Sequence, residues 1–217
     1  MLFDLKNLSG DSSQFIIIAL ANILAVVLAL SLHEFAHAFT AYKCGDSTPK
    51  LTGRLTLNPL NHMDPIGLVC CAIFRFGWAK PVQINPTNFR NIKKGVILTS
   101  IAGVLTNLIF AFISFGLYKL CLLIISTNVL VLFLQYFLYY LFMINLCLAV
   151  FNFLPIYPLD GFKLVEVLSK YNNNFVKFMY RYGNLILILL IVFFDSLLIR
   201  LISLISYPIT WFWSLIF

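Results

Sequence analysis

Long apolar runs without a charged residue dominate this chain. They cover residues 15–32, 95–118, 120–159 and 182–194. A membrane core of about 30 Å is crossed by about 20 helical residues, because a helix rises about 1.5 Å per residue. The first two runs therefore predict membrane-spanning helices, and the third is too long for one straight helix.

Helix-ending residues divide these runs into separate segments. Gly45 is predicted to end the first span, and Pro155 and Pro158 break the third. The predicted helices cover residues 13–42, 92–119, 129–153, 162–170 and 180–205, followed by an aromatic interfacial tail at 207–217. The chain shows no repeat and no soluble segment. We therefore expect a polytopic α-helical membrane protein in which residues 1–217 form one domain, with a three-helix core at 13–170 and at least one further helix and a tail at 180–217. The exact number of spans after the third helix stays open.

The connection between the first two spans has a different pattern. In residues 50–57 apolar and polar positions alternate, which favours a strand with one apolar face. Residues 66–74 are uncharged but too few to span the membrane, so they predict a re-entrant or interfacial piece. Residues 46–92 are thus predicted to form a small membrane-associated β layer, either buried in protein or lining a wet cavity.

Composition and charge agree with a membrane protein. Hydrophobic residues make up 61% of the chain and charged residues 11%, against about 45–50% and 25% in soluble domains. Twelve of the fifteen Lys and Arg lie in residues 43–94 and 163–181, which predicts that these two segments face the cytoplasm. The net charge of +7 is thereby explained without a nucleic-acid partner. The five cysteines lack a CxxC spacing, so we expect neither disulfides nor a cysteine metal site.

Three ionisable residues stand at the end of the first apolar run, in the stretch "HEFAH". His33 and His37 are one helical turn apart and share a face. H-E-x-x-H is the pattern in which two histidines bind zinc and the glutamate acts as general base. The alternative is a group of helix-end residues in the headgroup layer. That alternative is less economical, because a carboxylate within the membrane costs about 2.5–3.5 kcal/mol.

Catalytic zinc usually takes three protein ligands. The candidates for the third are Asp160, His62, Asp64, Glu166 and Asp195. Asp160 is favoured because the prolines break the third helix just before it and Gly161 lets the backbone turn, which returns the carboxylate to the depth of the histidines. The alternative role for Asp160 is to cap the short helix that follows.

Asn107 is a strongly hydrogen-bonding side chain in the middle of the second span. It can serve either catalysis or an interhelical hydrogen bond. Asn145 and Asn152 in the third span raise the same question with weaker support.

The stretches "HEFAHA", "NPLNHMDPIG", "WAKPV", "AGVLTN" and "NFLPIYPLDG" together resemble the site-two protease family of intramembrane zinc metalloproteases, in particular its compact bacterial branch without accessory soluble domains. The resemblance covers residues 28–170. It implies one zinc ion per chain, held by His33, His37 and Asp160, with Glu34 as base and Asn107 beside the substrate cleft. It also implies a transmembrane protein as substrate and the bacterial inner membrane as location, with the active site towards the cytoplasmic side.

The predicted function is hydrolysis of peptide bonds within or next to the transmembrane segments of other proteins. A helical substrate must unwind, and the predicted strand at residues 50–57 could hold it by β-addition. A metal or proton transporter could use the same cluster, but transporters tend to be built from repeats. A catalytically silent chaperone would need structural zinc, which usually has four ligands. The sequence leaves open the oligomeric state and the roles of His62 and Asp195.

Overall fold

The computed structural model describes residues 12–64, 66–67, 79–125, 128–169 and 173–217. Within these residues it contains seven α-helices. They are α1 (Ser12–Cys44), α2 (Thr48–Leu51), α3 (Ile92–Leu122), α4 (Val129–Phe153), α5 (Asp160–Leu168), α6 (Asn174–Phe193) and α7 (Asp195–Ser214). Two short 3-10 helices, Pro59–Asn61 and Pro86–Asn88, lie in the connection between α2 and α3.

Five of these helices, α1, α3, α4, α6 and α7, are long and apolar enough to cross a membrane. The chain is therefore an integral membrane protein. The predicted bounds of the third span agree with α4 at both ends, and those of the first two spans agree to within three residues.

The prediction of at least one further helix after the third span is confirmed, but the helix predicted at residues 180–205 is divided into two. The structure has two helices there, α6 and α7, separated by Phe194, whose φ of −119° and ψ of 34° interrupt the helix. Hydropathy does not reveal this interruption because both helices are apolar. The aspartate at position 195 is the sequence feature that marks the start of the second helix, since aspartate is favoured in the first turn of a helix.

The core of the bundle forms where α1, α3 and α4 pack on one another. Three alanines of α1, Ala21, Ala25 and Ala29, are fully buried and pack against Tyr140 and Leu141 of α4. Small residues at this spacing let two helix backbones approach closely, which is the usual packing in membranes.

The C-terminal segment packs back onto the bundle through Trp213. Its indole Nε1 donates to the carbonyl oxygen of Phe112 at 3.0 Å. A Cβ atom at Gly116 would lie 2.2 Å from the indole ring, so only glycine leaves room for this contact. The segment predicted as an interfacial tail is therefore largely helical and, through Trp213, part of the protein's packing.

The predicted β layer is also wrong for the part of the chain that the structure describes. Residues 48–51 form the short helix α2, which has Pro49 in its first turn, and Gly53 follows with a positive φ of 69°. The remaining β pairing among described residues is one isolated antiparallel bridge between Met63 and Ala79.

The strand prediction fails because the wrong set of alternating positions is buried. Arg54 is 9% exposed and its guanidinium donates to the carbonyl oxygen of Asn61, whereas Leu51 and Leu57 are 84% and 59% exposed. The apolar positions therefore point outward, opposite to the pattern expected of a half-buried strand. The re-entrant piece predicted at 66–74 lies mostly outside the described residues, as do Cys70 and Cys71; Cys44, Cys121 and Cys147 are free thiols.

Asp46 organises the connection between α1 and α3. Its buried carboxylate accepts hydrogen bonds from the backbone N–H and hydroxyl of Thr48, the backbone N–H of Asn85 and the amide of Asn88, at 2.6–3.0 Å. Burial alone would raise the pKa of this carboxyl, but these hydrogen bonds outweigh it and hold the pKa below its usual range. Asp46 thereby fixes residues 85–88 against the end of α1.

Candidate metal centre

The end of α4 brings Asp160 to the bundle. The helix stops at Phe153, and the chain turns through Pro155 and a cis peptide bond between Tyr157 and Pro158 before α5 begins at Asp160. A Cβ atom at Gly161 would lie 2.4 Å from the carbonyl oxygen of Phe153. Gly161 is thus required for close packing of α5 on the end of α4, rather than for the tight turn that the sequence suggested.

Three buried side chains converge at this point, namely His33, His37 and Asp160, each at most 5% exposed. Oδ2 of Asp160 lies 3.3 Å from Nε2 of His33 and 2.9 Å from Nε2 of His37. The two Nε2 atoms lie 3.0 Å apart. The structure therefore brings together the three residues that the sequence singled out as metal ligands.

The donor atoms fit a zinc ion. Tetrahedral zinc with bonds of about 2 Å to nitrogen and oxygen places its ligand atoms about 3.3 Å apart, close to the three distances found here. Nδ1 of His37 lies 2.7 Å from the carbonyl oxygen of Thr99, which can only accept, so Nδ1 carries a proton. In the neutral ring Nε2 then presents a lone pair to the Asp160 carboxylate, an arrangement that a cation between them stabilises.

Asn107 holds the other histidine. Its side-chain amide is fully buried, and Nδ2 lies 3.0 Å from Nδ1 of His33, while Oδ1 has no partner among the described residues. When Nε2 of His33 binds a cation, Nδ1 carries the proton and needs an acceptor. A half-turn of the amide supplies Oδ1 as that acceptor, so Asn107 can fix the ring in the metal-binding tautomer.

Gly103 makes room for both histidines. A Cβ atom at this position would lie 2.5 Å from Cε1 of His33 and 2.6 Å from Nε2 of His37. The structure shows that the space is occupied by imidazole rings.

Glu34 lies beside the cluster, and its carboxylate faces a different element. Oε2 accepts a hydrogen bond of 2.9 Å from the backbone N–H of Val82. Val82 belongs to an irregular segment, residues 81–85, which lies between α1 and the start of α3. A small cavity of about 140 Å³ opens here, lined by Glu34, both histidines and Asp160. The candidate general base and the three clustered side chains therefore line one cavity, which has room for water.

Lys163 completes the surroundings of Asp160. It stands one helical turn along α5, and its Nζ lies 2.8 Å from Oδ1, the carboxylate oxygen that does not face the histidines. One oxygen of Asp160 is thus engaged by an ammonium group and the other is directed at the histidines. Asp160 does not cap α5, since Leu159 is the N-cap residue and makes no side-chain capping bond.

The other candidates for a third ligand lie elsewhere. Nε2 of His62 lies 2.7 Å from the carbonyl oxygen of Thr56, and Glu166 accepts a bond of 2.5 Å from the hydroxyl of Tyr180. Asp64 accepts from the backbone N–H of Ile66, and Asp195 begins α7. Among the described side chains, His62, Asp64 and Glu166 do not belong to the three-residue cluster, and the side chain of Asp195 lies outside the described part of the structure.

Asn145 and Asn152 donate to carbonyl oxygens of their own helix, Leu141 and Leu148 respectively. Asn152 nevertheless also lines the small cavity that contains Glu34 and both histidines.

Sequence reasoning missed Thr99, Val82 and Asp46. Thr99 and Val82 act through their backbones, for which a side-chain pattern gives no signal. For Asp46 there was a sequence signal, because in a stretch such as "DST" the aspartate often accepts hydrogen bonds from the residue two positions later in the chain.

Comparison with known proteins gives one family. The model of Peptidase family M50 matches residues 119–191. Relatives carry the name "Putative zinc metalloprotease". YwhC of Bacillus subtilis is 41% identical over 151 residues, covering 66% of this chain and 67% of YwhC. Rip2 of Mycolicibacterium smegmatis is 35% identical over 43% of this chain and 38% of Rip2. Rip2 of Mycobacterium tuberculosis is 31% identical over 73% of this chain and 62% of Rip2. No solved structure matches this chain.

Proposed function

The chain belongs to peptidase family M50, and from that premise we propose that it is a zinc-dependent peptidase that cleaves other proteins within or next to their membrane-spanning segments. The observation that carries the proposal is the contact of Asp160 with both His33 and His37, at 3.3 and 2.9 Å, inside a bundle of membrane-spanning helices. His33 precedes the end of α1 by eleven residues, which is about 16 Å along the helix. This position within a membrane-spanning helix supports a cluster that can reach the backbone of a membrane-spanning substrate.

In this proposal one zinc ion is held by His33, His37 and Asp160. When bound there, zinc polarises a scissile carbonyl and lowers the pKa of water towards neutrality. Thr99 and Asn107 orient the two imidazoles, and Lys163 leaves one oxygen of Asp160 for the metal. These contacts position the ligands before substrate arrives.

Glu34 acts as the general base. It accepts a proton from the attacking water and returns it to the leaving amine, which is the role of the glutamate in this motif. The hydrogen bond from the Val82 N–H holds its Oε2 and leaves Oε1 for the water. Asn107 was a second candidate for direct catalysis, but its contact with His33 favours a positioning role.

An extended substrate needs a binding surface next to this site. Residues 81–85 replace the wrongly predicted strand at 50–57 in this role, because they lie outside helices and line the cavity that contains Glu34. An unwound substrate segment can hydrogen-bond along such a backbone, as in β-addition. We further propose that this side of the protein faces the cytoplasm of a bacterial cell, since the basic residues concentrate in residues 43–94 and 163–181.

Replacement of Glu34 by Gln tests the proposal. We expect the purified Glu34→Gln variant to bind one zinc ion per chain, as the parent does, and to cleave no single-span model peptide in detergent or in vesicles. Asp195→Asn is the matched control, because it removes a carboxylate from another membrane-spanning helix, and it should cleave at the parental rate. Cleavage by Glu34→Gln at the parental rate would refute the mechanism. Zinc binding without cleavage by the parent would instead favour a metal transporter.

A further inference from the structure

A second cavity, of about 360 Å³, lies beside the metal cluster. The start of α3 contributes Val96 and the segment before it contributes Phe89. The break between α4 and α5 contributes Tyr157, and α5 contributes Phe162. Tyr180 of α6 closes the remaining side. The walls are therefore mainly apolar and aromatic, and the volume is in the range of ligand pockets.

The cavity adjoins the candidate active site. Both cavities share the same five lining residues, which are His37, Val82, Ile84, Pro158 and Lys163. A chain that lies across Glu34 and the histidines can thus place one of its side chains in the larger cavity without crossing another element.

The walls of the cavity are fixed by packing. The rings of Phe162 and Tyr180 meet edge to face with centroids 5.2 Å apart, and the Tyr180 hydroxyl donates to Glu166. Phe89 packs closely on α3 at Gly95, where an added Cβ atom would lie 2.3 Å from the Phe89 ring. Because these walls are already packed in place, the cavity is preformed. A preformed cavity favours an occupant whose shape matches it.

The polar groups in the walls distinguish the cavity from a gap in the apolar core. The carboxylate of Glu166 accepts from Tyr180, and Lys163 is paired with Asp160. The hydroxyl of Ser100 is buried and has no hydrogen-bond partner among the described residues. The lysine is thus paired with an opposite charge and the glutamate carboxylate is hydrogen-bonded, and the rest of the surface offered to an occupant is mainly apolar.

We infer that this cavity is the specificity pocket of the enzyme and binds a large apolar side chain, such as that of Phe, Leu, Met or Tyr, from a substrate residue close to the cleaved bond. The inference rests on the proposed peptidase function, since the occupant is part of the chain that Glu34 and the metal cluster hydrolyse. A lipid tail could also enter an apolar cavity, but the shared lining with the active site favours the substrate side chain.

The test is cleavage of a library of single-span peptides by the zinc-loaded protein, with cut positions and flanking residues read by mass spectrometry. For the parent, we expect large apolar residues to be preferred over Ala by at least about tenfold at one position near the cut. Val96→Phe fills the cavity and should reduce this preference about tenfold. Val96→Ala enlarges it and should instead increase cleavage of peptides with Trp at that position. Leu98→Phe is the matched control, because Leu98 lies two residues along α3 and is 54% exposed on the outer surface, so the preference should be unchanged.

Several outcomes overturn the inference. They include a parent that cleaves without a positional preference, Val96 variants with the parental preference, and an equal loss of cleavage for every peptide in both Val96 variants. Val96 variants that differ only in co-purified lipid would assign the cavity to a lipid tail. The proposed peptidase function survives all of these results, whereas a zinc-loaded parent that cleaves no peptide overturns both proposals.

Discussion

The amide of Asn107 lies 3.0 Å from Nδ1 of His33, while Nε2 of the same ring faces Asp160. The two residues are on different helices, α3 and α1, and both are buried. Asn107 therefore acts on the metal cluster through the imidazole of His33. Outer hydrogen bonds of this kind fix the tautomer and orientation of a ligating histidine.

Asn107→Ala should weaken zinc binding about 10- to 100-fold, because Nδ1 of His33 loses its partner. Asn107→Asp keeps an acceptor for the Nδ1 proton and should bind zinc more tightly than Asn107→Ala. Competition with a chromogenic chelator measures both affinities. A direct role on the substrate would give a different result, namely parental zinc affinity in Asn107→Ala with a lowered kcat.

Gly103→Ala should abolish zinc binding or reduce it strongly. The added methyl would lie 2.5 Å from His33 and 2.6 Å from His37, and one imidazole must move out of the cluster to relieve the overlap. Zinc content after purification is the measurement. Leu105→Phe adds more volume two residues away on an exposed position, and it should retain the full zinc content. Equal zinc content in Gly103→Ala and the parent would show that the rings have more freedom than their packing indicates.

Asp46→Asn should lower the free energy of unfolding by about 3 kcal/mol near neutral pH, because the amide cannot accept all of the hydrogen bonds that the carboxylate accepts. The pKa of Asp46 is lowered by folding. Its contribution is therefore complete above the unfolded-state pKa of about 3.9 and is lost as the pH falls through the lower folded-state pKa.

Denaturant unfolding of the detergent-solubilised parent and Asp46→Asn at several pH values measures this difference. The two proteins should converge in stability as the pH is lowered below about 4. A difference that does not depend on pH would assign the effect to shape rather than to charge.

Trp213→Ala should destabilise the protein by about 3 kcal/mol, because it removes the ring that packs on Gly116 and the hydrogen bond to Phe112. Thermal unfolding in detergent measures the loss. Trp211→Ala is the control, since Trp211 is 53% exposed and should be nearly neutral. Zinc affinity should be retained in both variants, because neither tryptophan contacts the cluster. Equal unfolding temperatures for the two variants would contradict the packing role of Trp213.

Periodicity and residue type were sufficient for the spans and for the cluster. Asn128 and Pro155 flank α4, whose predicted and observed bounds agree, and the break after α4 does bring Asp160 to His33 and His37. These features are local to the chain or follow from a motif with a known chemical purpose.

The failures have a different origin. The alternation in residues 50–57 is typical of a strand, but Gly53 turns the chain. The buried guanidinium of Arg54 then donates to the carbonyl oxygen of Asn61, seven residues further along. Such a tertiary contact overrides local propensity. The contact of Trp213 with Gly116 likewise joins distant parts of the chain, and no pattern along the sequence encodes it.

The helix break before Asp160 also determines when the protein can become active during its synthesis. His33 and His37 enter the membrane with α1, whereas Asp160 follows α4 and is made more than a hundred residues later. Until the ribosome has passed this break, a nascent chain carries two of the three clustered side chains. Under the proposed function, the three-residue metal site is therefore complete only after α3 and α4 have also been made, so a chain that stalls earlier lacks the full ligand set that hydrolysis requires.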